Sequence, residues 1–510
     1  MSSLLDTFGV LSVFFWNAPV LVMLVLWIAA CLTAVLPSKG TRLPGGLALG
    51  AHFLALVLTG YLAWAVLIYG ELGYSLGGWL APWGIEFMVT PLSVFMLITI
   101  FSVSTLILFF SLADLHHDIE TRLLGSYYTL YLLLVGALAG LCVTNDLFNM
   151  FVLMEVAAIG ACGIIAVKGG PDCTEASLKY LILSCLGTGG ILLATALLYK
   201  LTGHLNIDYI AAGMDTALAE YPINSMVALA LFSVGFIVKA ALFPLHVWLP
   251  DAHSSAPSPS SALLSGLVIK VYAVLYLRIL VDVYPREVFL VLPVSELILI
   301  LASISIIVGS LYAMAQTDIK RMLAYSSIAQ IGYVFLGIGL MQATGITGGL
   351  LHIFNHAMMK SMLFLSAGAI IYCTGIRTIK DMKGIGLQMP LAMSAFTVGA
   401  MAMVGIPATN GFISKLYLAL GAFEAGRPVY LGVILLSSLL NGIYYFPIVI
   451  GAFFGQRDTE SWPEAPCNCK RLPLTMAVPL LILAVGCVFF GIFPMHMLVL
   501  VEGAVALMLP

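Results

Sequence analysis

Apolar runs of about twenty residues, parted by short polar turns, recur from one end of the chain to the other. A helix needs about that length to cross a hydrocarbon core of roughly 30 Å. On that measure, spans are expected near 17–37, 46–69, 91–113, 124–143, 147–167, 176–199, 225–243, 259–281, 292–315, 322–342, 345–374, 390–423, 429–454 and 473–498. No polar stretch between them is long enough for a separate soluble domain. Residues 1–510 therefore read as one all-α, polytopic membrane domain of about 14 transmembrane helices. Met1 to Trp16 lack a basic leader region, so they read as a short interfacial or re-entrant segment and not as a cleaved signal peptide.

Composition agrees with the pattern. Hydrophobic residues make up 62% of the chain and charged residues 9%, against roughly 25% charged in a soluble domain. So little charge does not cover a water-facing surface. The net charge is −3 and no run of Lys and Arg exists, which excludes nucleic acid as a partner. The nine cysteines are scattered, and Cys467-Asn468-Cys469 is the only close pair. That spacing fits neither a CxxC redox pair nor a zinc ribbon, and it speaks against iron–sulfur ligation.

Cytoplasmic loops of membrane proteins are enriched in Lys and Arg. Here the odd-numbered loops carry Lys39, Arg42, Arg122, Lys168, Lys179, Lys320, Arg321, Arg377, Lys380, Lys383, Arg457, Lys470 and Arg471. The even-numbered side carries Lys200, Arg278, Arg286 and Arg427. This bias puts the odd loops in the cytoplasm and both termini outside. Of the 21 basic residues, Lys239, Lys270, Lys360 and Lys415 remain, and all of them fall inside expected helices.

A charge at the bilayer centre costs about 2.5–3.5 kcal/mol on insertion scales, so it faces a partner or a wet cavity. Glu155 lies nine residues beyond Asp146, which at 1.5 Å per residue is about 14 Å deep. A structural ion pair or a snorkelling lysine is the bland explanation for any one of these residues. Several at once favour a functional path. Helix-breaking signals add to this: Phe243-Pro244 to Pro250-Asp251 follows Lys239, and Gly405-Ile406-Pro407-Ala408-Thr409-Asn410-Gly411 precedes Lys415. Either is a simple proline kink when taken alone. They fall five spans apart, however, as expected for two inverted five-helix repeats (spans 4–8 and 9–13, residues 124–281 and 292–454) with broken helices at spans 7 and 12.

His352, His356 and Lys360 recur every four residues and share one helix face. Histidine exchanges protons near physiological pH, although paired core histidines or a two-histidine zinc site lacking a third ligand are the alternatives. His246, Asp251 and His253, and likewise Asp114, His116, His117, Asp118 and Glu120, read as solvated loops.

The segments DLFNMFVLMEV (Asp146–Val156), VKAALFPLHVWLPDAHSSAPSPSSALLSGLVIK (Val238–Lys270), DIKRMLAYSSIAQIGY (Asp318–Tyr333), HIFNHAMMKSMLFLSAGA (His352–Ala369) and GIPATNGFISK (Gly405–Lys415) resemble a known family. It is that of the antiporter-like subunits shared by respiratory complex I, membrane-bound hydrogenases and multi-subunit Mrp-type cation/proton antiporters. DLFN followed by an aromatic and a glutamate looks most like the Mrp D subunit and its hydrogenase relatives, and DIKRMLAYSSIAQIGY looks more like complex I. The sequence runs only a short way past its fourteenth expected span, so the long lateral helix of the largest complex I member is not expected.

The resemblance implies roles residue by residue. Glu155 and Lys239 match the glutamate–lysine pair of the first half-channel, and Lys270 the central lysine. His352 and His356 match the histidines of the second half, and Lys415 the terminal charged position. A desolvated lysine favours the neutral amine and a nearby carboxylate favours the ammonium, so Glu155 would gate the passage of a proton from Lys239 to Lys270. The expected function is proton translocation in a redox-driven respiratory or hydrogenase-type complex, in the cell's inner (cytoplasmic) membrane. The alternative is a D-like subunit of a Na+/H+ antiporter, and a third reading is a quinone-binding catalytic subunit. No nucleotide loop, cofactor motif or metal cluster is visible, so no cofactor is expected in this chain. The implied partners are antiporter-like paralogues, small membrane subunits and peripheral redox subunits with iron–sulfur clusters.

Overall fold

The computed structural model describes residues 15–37, 42–286, 288–291, 293–455 and 472–509. Cys467 and Cys469, Lys39, Arg457, Lys470, Arg471 and the N-terminal residues up to 14 lie outside them. Thirteen helices among the described residues are long and apolar enough to cross a membrane. The helices run α1 (Ala18–Val35), α2 (Leu43–Tyr69), α3 (Pro91–Asp118), α4 (Leu124–Val143), α5 (Leu147–Ala166) and α6 (Pro171–Thr202). An amphipathic α7 (Ile207–Glu220) leads into α8 (Pro222–Ala240), the short α9 (Trp248–Ser255) and α10 (Ser258–Val283). Then come α11 (Val294–Met314), α12 (Ile319–Gly339), α13 (Ala343–Thr374), α14 (Pro390–Val404), α15 (Asn410–Glu424), α16 (Val429–Phe454), α17 (Leu474–Ile492) and α18 (Met495–Met508). An antiparallel hairpin, β1 (Leu72–Ser75) with β2 (Glu86–Val89), joins α2 to α3.

The expected span 12 is the broken pair α14 and α15. Each has 15 residues, about 22 Å at 1.5 Å per residue, so neither crosses the hydrocarbon core alone. Together with the thirteen longer helices they complete the expected architecture of about 14 spans.

The hydrophobic residues are distributed as lipid immersion requires. The most hydrophobic windows of α10 and α12 are 94% buried and that of α13 is 89% buried, whereas those of α17 and α16 are only 33% and 39% buried. The outer helices turn Leu435, Leu439, Ile450, Leu481 and Val485 outwards, which is stable only against hydrocarbon or another membrane subunit. The central three helices carry Lys270, Lys320, His352, His356 and Lys360, all buried.

Two local arrangements recur five spans apart. Asp146 caps α5 by accepting the Asn149 N–H at 2.7 Å, and Asp318 caps α12 by accepting that of Arg321 at 2.9 Å. Asp146 bridges Asn206, and Asp318 bridges Thr378. The helix that precedes each bridging partner ends in a left-handed glycine, Gly203 or Gly375.

Two loop expectations fail. Asp114 belongs to the last turn of α3 and is buried, and His246 and His253 are buried beside α8 and on α9. Lys320, counted among the loop cations, is also buried, in the first turn of α12. Polarity at a helix end marks the end of a span. Whether the side chain meets water depends on the helices packed around it.

Candidate functional site

Both breaks expose backbone in the same way. At the end of α8, Ala241 adopts φ 56°, its N–H reaches Val238 O at 3.2 Å, and Leu242 N–H reaches Ile237 O at 3.1 Å. At the end of α14, Gly405 adopts φ 91°, its N–H reaches Ala402 O at 3.1 Å, and Ile406 N–H reaches Met401 O at 3.1 Å. These are Schellman-type ends, which close a helix with one left-handed residue. Gly411 is required because α15 starts hard against α14. A Cβ there would lie 1.9 Å from Ala402 O.

Lys239, in the last turn of α8, is buried and donates to the Ser184 hydroxyl of α6 at 2.5 Å. Its ammonium also lies 5.4 Å from the centre of the Tyr272 ring. Glu155 on α5 is half-buried and is near enough for its charge to act on Lys239. The two are nevertheless not closed into an ion pair at 4.0 Å or less.

Lys270 sits on α10 just after a π-turn, Leu264–Val268. Such a turn shifts the backbone register and leaves a carbonyl for another donor, and Lys270 donates to Ser265 O. The Ser265 hydroxyl meets that of Ser327 on α12 at 2.7 Å.

On α13, His352 Nε2 contacts Gln330 Oε1 and Nδ1 contacts Ser414 Oγ, each at 2.9 Å. His356 stacks on it at 5.8 Å between ring centres, and neither of its ring nitrogens has a protein partner. Lys270, Lys360 and His352 are the charged or chargeable groups around His356. Lys360 donates to the Ser326 hydroxyl. Lys415, from α15, folds back onto the end of α14, donating to Met403 O at 2.7 Å, Val404 O at 3.0 Å and Ser438 Oγ at 3.1 Å. A cation at a helix C-terminus meets the negative end of the helix dipole.

Neighbours among the six expected relay residues approach one another in turn: Glu155 acts on Lys239, Lys270 on His356, His356 stacks on His352, and Lys415 acts on His352. Lys360 joins them by position. Tyr272 was not expected, yet its ring lies beside Lys239, two residues along α10 from Lys270, and its buried hydroxyl lacks a protein partner. A tyrosine in an apolar span carries no sequence signal for such a role. Among the described residues, no carboxylate lies within 4.0 Å of the ammonium of Lys239, Lys270, Lys360 or Lys415. By this distance none of the four is closed into an ion pair, and all four are buried.

A multi-pass helical bundle with two broken helices and a buried lysine–histidine set defines an antiporter-like membrane subunit. Residues 144–441 match the family model described as NADH:quinone oxidoreductase/Mrp antiporter, TM. The NADH-quinone oxidoreductase subunit N of Desulforudis audaxviator (strain MP104C) is 37% identical over 486 residues, 94% of this chain and 96% of that one. The chain belongs to this family. Its fold matches a chain of the membrane-bound sulfane sulfur reductase, an archaeal respiratory membrane complex, with TM-score 0.87, 30% identity and coverage of 96% and 97% of the two chains. It also matches a chain of the Mrp complex from Dietzia sp. DQ12-45-1b, with TM-score 0.84, 25% identity and coverage of 97% of each. These structural relatives are parts of multi-subunit membrane complexes.

Proposed function

We propose that this chain moves protons across the membrane as a subunit of a redox-driven respiratory or hydrogenase-type complex. One observation carries the reading: four buried lysines, each hydrogen-bonded only to neutral oxygens, lie with two histidines inside the bundle. An unpaired buried ammonium costs several kcal/mol, so each site gives up its proton readily and takes it back when a neighbouring charge changes. Glu155 is that neighbour for Lys239. Its approach holds the proton, and its withdrawal or protonation releases the proton past Tyr272 towards Lys270. His356 and His352 then pass it to Lys415. Water in the polar interior fills the gaps.

The recurrent caps, bridges and helix breaks support two inverted repeats, residues 124–281 and 292–454. They lie an odd number of spans apart, so matching features face opposite sides. The positive-inside bias favours a cytoplasmic position for the face that carries Lys168, Arg321 and Arg377, with both termini outside and the chain in the inner membrane. Antiporter-like paralogues and small membrane subunits are the expected neighbours. On this reading, peripheral subunits with iron–sulfur clusters supply the driving reaction. The likeness to the Mrp complex favours a second reading, a D-like subunit of a Na+/H+ antiporter.

Ion movement by the native complex in sealed vesicles, compared with Lys239→Ala, separates the two. Redox-driven proton uptake that the variant loses supports the pump. Transport that needs no redox substrate and follows a sodium gradient supports the antiporter.

A further inference from the structure

Three more ionisable side chains are buried towards the face carrying Lys168 and Arg377, and the relay described above uses none of them. Asp114 lies on α3, outside residues 144–441 that match the family. It is 3% exposed, and its Oδ2 has no hydrogen-bond partner. Lys320 on α12 is 2% exposed and donates only to Ala256 O. His253 on α9 is fully buried, with both ring nitrogens unpartnered.

Two cavities that share Lys168 and Gly169 open near them, neither lined by the three groups themselves. One, of about 690 Å³, is lined by His117 and Asp118, and Asp114 lies one helical turn below Asp118. The other, of about 500 Å³, is lined by Ser254, Ser255, Arg321 and Arg377, and it ends one residue short of Ala256, to which Lys320 donates. Asp118 is held by Lys168 at 2.7 Å, so it is already neutralised. Asp114 and Lys320 feel each other's charge and those of Asp118 and Lys168, and Arg377 also acts on Lys320. They are not closed into an ion pair at 4.0 Å or less. His253 in turn is near enough to Lys320, Lys360 and Lys270 for their charges to act on it.

We propose that Asp114 and Lys320 form a proton entry from this face that joins the relay at His356, with His253 as the link to Lys360. The step rests on the relay reading given above. Cavity water protonates the Asp114 carboxylate, which hands its proton to the neutral amine of Lys320. The Lys320 ammonium then passes a proton to one nitrogen of His253, and the other nitrogen releases one to Lys360. Lys360 lies one turn from His356 on α13. The arrangement repeats the logic of Glu155 and Lys239: an acid and a lysine on different helices, close enough to act on each other and left open.

The test is proton uptake by vesicles holding the native complex, with Glu155→Gln as reference. Lys320→Arg keeps a cation and a donor for Ala256 O, but a guanidinium does not release its proton. A purely structural lysine is rescued by this change, and an exchanging one is not. Lys320→Arg and Asp114→Asn are each expected to slow uptake at least tenfold in an assembled complex, while Asp114→Glu keeps most of it. Wild-type uptake by Lys320→Arg, or by Asp114→Asn should the arginine not fit, overturns the entry step while a defective Glu155→Gln leaves the relay standing. Unimpaired Glu155→Gln and Lys239→Ala overturn both.

Discussion

At the first break, Lys239 belongs to the half-helix that ends there, and it holds a single hydroxyl. At the second, Lys415 belongs to the half-helix that begins there, and it reaches back to two carbonyls and a hydroxyl. The backbone closes both helices with the same hydrogen-bond pattern, so the difference lies in the side chains. Lys415 is solvated by fixed dipoles that do not move with the reaction. Lys239 has only the Ser184 hydroxyl and, beyond ion-pair distance, the half-buried carboxylate of Glu155, whose charge acts on it. On the proposed relay, the first break would therefore release its proton under the control of Glu155, and the second would hold its proton more tightly.

That contrast is open to test. The largest effect is expected from Lys239→Ala, which removes the switching amine. Transport should fall by about a hundredfold, the scale of losing a positioned proton-transfer group, with the melting temperature of the complex little changed. Lys415→Ala should lose transport and also lower the melting temperature, because Met403 O and Val404 O lose charged donors worth about 1.5–3 kcal/mol each. Equal stability of the two variants would remove the distinction. Glu155→Gln comes next, with uptake reduced roughly tenfold and assembly intact, since the amide keeps the shape and loses the charge. Unaffected uptake would show that Lys239 switches without Glu155.

Smaller effects probe the backbone. Gly411→Ala drives a methyl group into Ala402 O and should destabilise by about 1–3 kcal/mol, the usual cost of overpacking, read as a lower melting temperature. Ala241→Gly relieves a left-handed alanine at the first break. That gain of about 1–2 kcal/mol is largely offset by the entropy glycine loses on folding. Its melting temperature should therefore shift by no more than a degree or two, against a clear fall for Gly411→Ala.

Span positions and both breaks were legible because they depend on local properties, hydropathy over about twenty residues and proline or glycine at fixed places. The lysines stood out because charge inside a span is costly wherever the helix goes. Asp114, His253 and Lys320 were misread for the converse reason. A polar residue at the edge of a span looks the same whether it faces water or a neighbouring helix, and α9, α10 and α12 arrive from distant parts of the chain to cover these three. Tyr272 and the π-turn before Lys270 carried no signal, since hydroxyls and small residues are ordinary in membrane helices.

The sequence by itself determined that this chain lives in a membrane, where it crosses, where its helices break and which charges it buries. Each of those follows from the free energy of placing a residue in hydrocarbon, which a residue and its near neighbours settle. Only the tertiary structure decided that the buried lysines have no carboxylate within ion-pair distance, and that Lys239 and Lys415 are held so differently. Partnership is a matter of which helices approach within hydrogen-bond distance, and that is set by packing over hundreds of residues.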